Sequence, residues 1–196
     1  MILFINACVR GASRTKKLAD HLLSETNEHV EELRLWEIEF PTVDEDFLAR
    51  RDALISERKF DNPMFDLARQ FASADKIVVA APFWDLSFPA VLKQYFEQIN
   101  VLGVTFSYSA AGVPVGLCKA SSLYYVTTAG GNFVPDEYGF GYVKALAEGF
   151  YGIKKVELIK ATGLDIVGAD ERIIIQKCLD EIKPINFENY KKAIEA

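Results

Sequence analysis

The chain predicts an α/β fold, a parallel sheet of five strands with helices on both faces. Three observations predict it. Ile2-Leu3-Phe4-Ile5, Lys76 to Ala81 and Ser121 to Thr128 are runs with few or no charges, as strands covered on both faces require. Segments with helical spacing of apolar residues follow each of them. The chain also has 50% hydrophobic and 12% aromatic residues, enough to cover both faces of a buried sheet.

The elements follow in order. After the first strand comes a polar, small-residue loop, Asn6 to Thr15, and then a helix over Lys16 to Leu23, with Leu18, Ala19, Leu22 and Leu23 on one face. His29 to Trp36 alternates around Val30, Leu33 and Leu35 and reads as the second strand. Residues 40–75 are charge-rich, with Pro41 and Pro63. They carry helical patterns at Asp46 to Arg58 and Met64 to Phe71, so a helical insertion is expected. Lys76 to Ala81 is the third strand, ended by Pro82. Pro89 opens a helix through Asn100, with Val91, Leu92, Tyr95, Phe96 and Ile99 on one face. Val104 to Tyr108 reads as a short extended piece. Ser121 to Thr128 is the fourth strand, ended by Gly130-Gly131. A helix over Tyr142 to Phe150, a fifth strand over Lys155 to Ala161 and a helix over Ala169 to Ile182, broken at Pro184, complete the chain.

Length and charge bound the function. With 196 residues, a single domain over 1–196 is expected. A formal net charge of -6 argues against nucleic acid as the main partner, because phosphate binding needs an electropositive face. Cys8, Cys118 and Cys178 form no disulfide framework and have no metal-ligand spacing, so no metal is expected. Met1 to Asn6 lacks a basic leader and no apolar stretch reaches spanning length, so a cytoplasmic chain with no membrane partner is expected.

In parallel sheets, ligands bind outside the carboxyl ends of the strands, where strand order reverses. Three loops lie at such ends: Asn6 to Thr15, Pro82 to Ser87 and Thr127 to Asn132. In the first, Ser13 and Thr15 stand at a helix start with Arg10 and Arg14 nearby. That suits either an anion cradle or an ordinary N-cap. Gly11-Ala12-Ser13 begins like a nucleophile elbow, but the histidines, His21 and His29, both come early, so a Ser-His-Asp triad fails. Cys8 to Thr15 also resembles the signature of low-molecular-weight tyrosine phosphatases. That reading makes Cys8 a nucleophile, with Arg14 holding phosphate oxygens and Asp136 as general acid.

The stretch Ala81-Pro82-Phe83-Trp84-Asp85-Leu86-Ser87-Phe88-Pro89-Ala90-Val91-Leu92-Lys93, followed by Gly103-Val104-Thr105-Phe106, resembles the flavodoxin-like FMN-dependent azoreductases and NAD(P)H:quinone oxidoreductases. Thr128-Ala129-Gly130-Gly131 is similar to their Ser-Arg-Gly-Gly loop, and Ser13-Arg14-Thr15 to their phosphate loop. The resemblance covers nearly the whole chain and implies the strand order 2-1-3-4-5. It implies FMN (flavin mononucleotide) as cofactor, NADH or NADPH as cosubstrate and a quinone, azo compound or similar small-molecule oxidant, in a ping-pong reaction.

Arg10, Ser13, Arg14 and Thr15 are then expected at the FMN phosphate. Pro82, Phe83, Trp84, Asp85 and Leu86 are expected along the flavin ring, with Thr128, Ala129, Gly130 and Gly131 at its other edge. The flavin carries the chemistry, so no catalytic acid or base is named. The resemblance further implies a homodimer, with Tyr95, Phe96 and Tyr108 as candidates for its contact or, equally, for the core. Phe60, Met64 and Phe65 of the insertion are candidates for a lid, unless the insertion only packs on the sheet edge. The chain departs from the family at Asp85, commonly Asn, and at Ala129, commonly Arg. A carboxylate beside the ring would lower the flavin potential. A non-enzymatic flavodoxin-type electron carrier is the nearest rival, and the phosphatase the more distant one.

Overall fold

The computed structural model describes residues 1–24, 26–183 and 185. Strand β1 (Ile2–Asn6) is followed by α1 (Arg14–Ser24), β2 (Val30–Arg34), α2 (Glu45–Ser56), α3 (Asp66–Ser73), β3 (Lys76–Ala80) and α4 (Ala90–Ile99). A small hairpin comes next, β4 (Phe106–Tyr108) with β5 (Pro114–Gly116). The chain then runs through β6 (Ser122–Thr128), α5 (Phe140–Leu146), β7 (Lys155–Ala161) and α6 (Glu171–Glu181). Pro184 lies outside the described residues.

The five long strands form one sheet in the order β2-β1-β3-β6-β7, every pairing parallel. Counting only these strands, that is 2-1-3-4-5. The buried runs β1, β3 and β6 are the three central strands, and the half-exposed β2 and β7 are the edges. Successive side chains of a strand face opposite sides, so each central strand feeds two cores. Ile2 and Phe4 of β1 pack with Leu18 and Leu22 of α1 and Ile175 of α6 on one face. Leu3 and Ile5 pack with Phe71 of α3, Leu92 and Phe96 of α4 and Val143 of α5 on the other. Strand order reverses between β1 and β3, the crevice at which ligands of such sheets sit.

Several boundaries differ from the sequence expectation. The second strand stops at Arg34, and Leu35–Glu37 winds into a short 3₁₀ turn that buries Leu35. The extended piece at 104–108 pairs with an unexpected strand, Phe106 opposite Gly116. The last turn after α5 loosens to π geometry over Ala147–Tyr151 and ends at Gly152, φ 77°. Gly152 is needed there both for its left-handed backbone and because Gly116 presses against it. Of the two readings left open, dimer contact or core, Tyr95 and Phe96 take the core, both being fully buried, while Tyr108 is exposed.

Candidate functional site

Each loop at the carboxyl ends is fixed by hydrogen bonds that continue the sheet. Ala7 N–H donates to Ala80 O at 2.9 Å, Ala81 N–H to Val126 O at 3.0 Å and Phe83 N–H to Thr128 O at 3.0 Å. The sheet therefore carries the first loop, the β3 turn and the β6 loop to one place. Between them lies a cleft of about 250 Å³.

The cleft brings together most of the expected residues. Arg10, Ser13, Arg14 and Thr15 line it from the first loop, and Pro82, Phe83 and Trp84 from the turn. Thr128 and Gly130 line it from the β6 loop. Asp85, Leu86, Ala129 and Gly131 do not line it. Asp85 and Leu86 are exposed at the tip of the turn, Ala129 is buried at the end of β6, and Gly131 faces outward with open space around it.

The turn has a specific backbone. Trp84 and Ser87 exchange N–H···O bonds of 3.0 and 2.8 Å, and Asp85 and Leu86 between them have φ of 50° and 67°. Two left-handed residues inside a closed two-residue loop make a type I′ turn, where Gly or Asn is usual. Asp tolerates this backbone, while a leucine in it is strained. The Arg10 guanidinium lies 5.9 Å from the Trp84 ring centroid, a cation–π contact joining two walls of the cleft.

At the other end, Ser13 caps α1 by accepting from Lys16 N–H at 3.2 Å. The first-turn N–H groups of a helix lack intrahelical acceptors, so anions are favoured here. Thr15 departs from expectation. It is fully buried, and its hydroxyl lies 2.6 Å from that of Thr128. The pair staples α1 to β6, so Ser13 is the less encumbered hydroxyl at the helix start.

Arg14 is engaged as well. Its guanidinium donates to both oxygens of Asp165, at 2.7 and 3.3 Å, and to Glu171 at 3.4 Å. The hydrogen bond to Asp165 raises the Arg14 pKa and holds the Asp165 carboxyl below the usual carboxylate range. Asp165 lines the cleft, and sequence reasoning missed it. It sits in the loop after β7, tied to the β6 loop by Asp165 N–H to Gly130 O at 2.9 Å and Gly163 N–H to Gly131 O at 3.0 Å. No local pattern marks an acidic residue in such a loop. Only the position of β7 beside β6 brings it near Arg14. The absent side chain at Gly130 leaves room for the Asp165 carboxylate; a Cβ there would push it aside.

Cys8 lies at the cleft floor, 3% exposed, with its thiol donating to Ala80 O at 3.6 Å. Burial pushes its pKa up to about 11. A phosphatase nucleophile needs a lowered pKa and an accessible sulfur, so this environment speaks against that chemistry. Asp136, the imagined acid, is ion-paired to Lys160 at 2.7 Å. The expected lid residues do not reach the cleft. Phe65 is buried in the core, Phe60 packs edge-on against it at 6.2 Å, and Met64 packs on the same core. Among the described residues no group of His, Cys, Asp and Glu could hold a metal ion, and no helix is long and apolar enough to cross a membrane.

Comparison with known proteins decides the family. The family described as having a flavodoxin-like fold matches residues 1–184. An FMN-dependent NADH:quinone oxidoreductase of Clostridium perfringens is 34% identical over 190 residues, 92% of this chain and 94% of the relative. The chain belongs to the flavodoxin-like FMN-dependent NADH:quinone oxidoreductases. A second such protein, from Lachnoclostridium phytofermentans, is 36% identical over 178 residues, covering 86% of this chain and 89% of that one. Among solved structures, an azoreductase of Bacillus anthracis superposes with a TM-score of 0.80 at 28% identity, over 92% of this chain and 95% of that one. An FMN-dependent NADH-azoreductase of the same species, solved in complex with FMN, gives 0.74 at 25% identity over 92% and 94%. Family membership favours the resemblance read from Pro82 to Lys93 over the phosphatase signature.

Proposed function

We propose that this oxidoreductase binds FMN in the cleft between β1 and β3. It then transfers two electrons from NAD(P)H to a quinone, azo compound or similar small acceptor by a ping-pong mechanism. The observation that carries the reading is the convergence of three sheet-anchored loops on one cleft whose two ends differ in character. One end offers a helix start with Ser13 and Arg14, a fit for a phosphate, and Arg10 bridges toward the Trp84 side. The other offers Phe83 and Trp84, a fit for a flat ring.

Bound FMN would supply the redox chemistry, taking a hydride from the nicotinamide and passing electrons to the acceptor. The chain's own residues bind and shield. Ser13, Arg10 and the first-turn N–H groups of α1 would hold the phosphate. Phe83 and Trp84 would exclude water from one side of the ring, and Thr128 and Gly130 would border its other edge. Cys8, with its raised pKa, stays a neutral thiol below the cleft at physiological pH. No side chain is assigned a proton transfer. We further propose that the enzyme acts as a cytoplasmic homodimer, with the exposed Tyr108 as a contact candidate.

Steady-state kinetics test the reading. With FMN present, NADH or NADPH should be oxidised rapidly only when a quinone or azo acceptor is added. Double-reciprocal plots at several acceptor concentrations should be parallel. Intersecting lines would overturn the ping-pong order, and oxidation no faster than with free FMN would return the protein to the class of electron carriers.

A further inference from the structure

Arg14 stands at the helix start where the phosphate is placed, but its charge is already matched. Asp165 meets the guanidinium with both carboxylate oxygens, the bidentate geometry in which arginine grips phosphate. Glu171 adds a weaker contact at 3.4 Å. The Asp165 carboxylate is 64% exposed, but the loop that carries it is anchored. The Asp165 backbone N–H is tied to Gly130 O, the neighbouring Leu164 N–H to Ala129 O at 3.3 Å, and the missing side chain at Gly130 leaves the carboxylate room to reach across. It also lines the cleft itself.

We propose that Asp165 competes with the cofactor phosphate for Arg14, and so sets how strongly the enzyme prefers FMN over a flavin without phosphate. The inference rests on the reading of the cleft as an FMN site. A phosphate arriving at the start of α1 meets two unlike arginines. Arg10 has the Trp84 ring as neighbour and feels the Asp165 charge only at longer range, whereas Arg14 is shared with that carboxylate at short range and a second farther off. The phosphate must either displace Asp165 or accept its negative charge nearby, and both weaken binding at this end alone. The ring end does not feel the competition.

The test compares FMN with riboflavin, which carries the same ring and no phosphate. Flavin fluorescence quenching gives both dissociation constants for the full-length wild type, Asp165→Asn and Glu171→Gln, each freed of flavin beforehand. Asn keeps the size of Asp165 and removes its charge, so folding is preserved. Asp165→Asn should tighten FMN about twofold to fivefold, the scale of releasing an arginine from an exposed ion pair, and leave riboflavin unchanged. Glu171→Gln should act in the same direction and more weakly. Weaker FMN binding in Asp165→Asn would overturn the proposal, because Asp165 would then be positioning Arg14 for the phosphate. Equal changes for FMN and riboflavin would also overturn it, as would no change for either. If the wild type binds neither flavin, the reading of the cleft fails rather than the competition within it.

Discussion

The first loop and the β3 turn face each other across the cleft and are built on opposite terms. In the first loop the backbone is ordinary and the side chains are committed. Thr15 is stapled to Thr128, Ser13 caps α1, and Arg14 is held by Asp165. In the turn the side chains Trp84, Asp85 and Leu86 are exposed, and the backbone carries the constraint, with two consecutive residues at positive φ. Conformational strain tends to persist where a site needs it and the surroundings enforce it. The lesson is that similar-looking loops fail differently. Removing a side-chain group should damage the first, and relaxing the backbone should improve the second.

The largest expected effect is at the staple. Thr15→Val leaves the Thr128 hydroxyl buried without its partner. It should cost about 1–3 kcal/mol in urea unfolding, the scale of an unsatisfied buried polar group. Thr15→Val combined with Thr128→Val should cost clearly less than the sum of the two single changes, because both polar groups are then gone. Strict additivity would mean that the two hydroxyls do not depend on each other, and the contrast between the loops would lose its first half.

A smaller effect of opposite sign is expected in the turn. Leu86→Gly removes the left-handed strain of a leucine, about 1 kcal/mol, against the greater chain entropy that glycine loses on folding. A net gain of about 0.5 kcal/mol is expected in the same unfolding measurement. A loss would mean that the exposed Leu86 side chain makes contacts worth more than the strain, and the second half of the comparison would fall.

The same contrast explains what was legible in the sequence. The central strands announce themselves because burial on both faces leaves runs of apolar and small residues, as in Ile2 to Ile5 and Ile77 to Ala80. The Pro82 to Lys93 stretch is legible because its signals are local. Pro89 starts a helix, and aromatic residues precede it. The hairpin partner Pro114–Gly116 was not, since three residues with a proline and a glycine show no alternation. The helical spacing that names Tyr95 and Phe96 fixes a face of α4 but not what covers it, and here residues such as Phe71 of α3 and Tyr142 of α5 do. The pairing of Thr15 with Thr128, 113 positions away, exists only once α1 packs on β6, and that of Arg14 with Asp165, 151 positions away, only once β7 also lies beside β6. These partners change the expected phosphate site most. They turn two freely available groups into groups already engaged.

The central claim is that this cleft holds FMN and works on it, and anaerobic absorbance of the purified protein tests it most directly. After incubation with FMN and removal of the excess, the protein should keep the visible bands of oxidised flavin. NADH should bleach them, and a quinone should then restore them. A protein that stays colourless after FMN, or one whose bound flavin NADH does not bleach, would contradict the account.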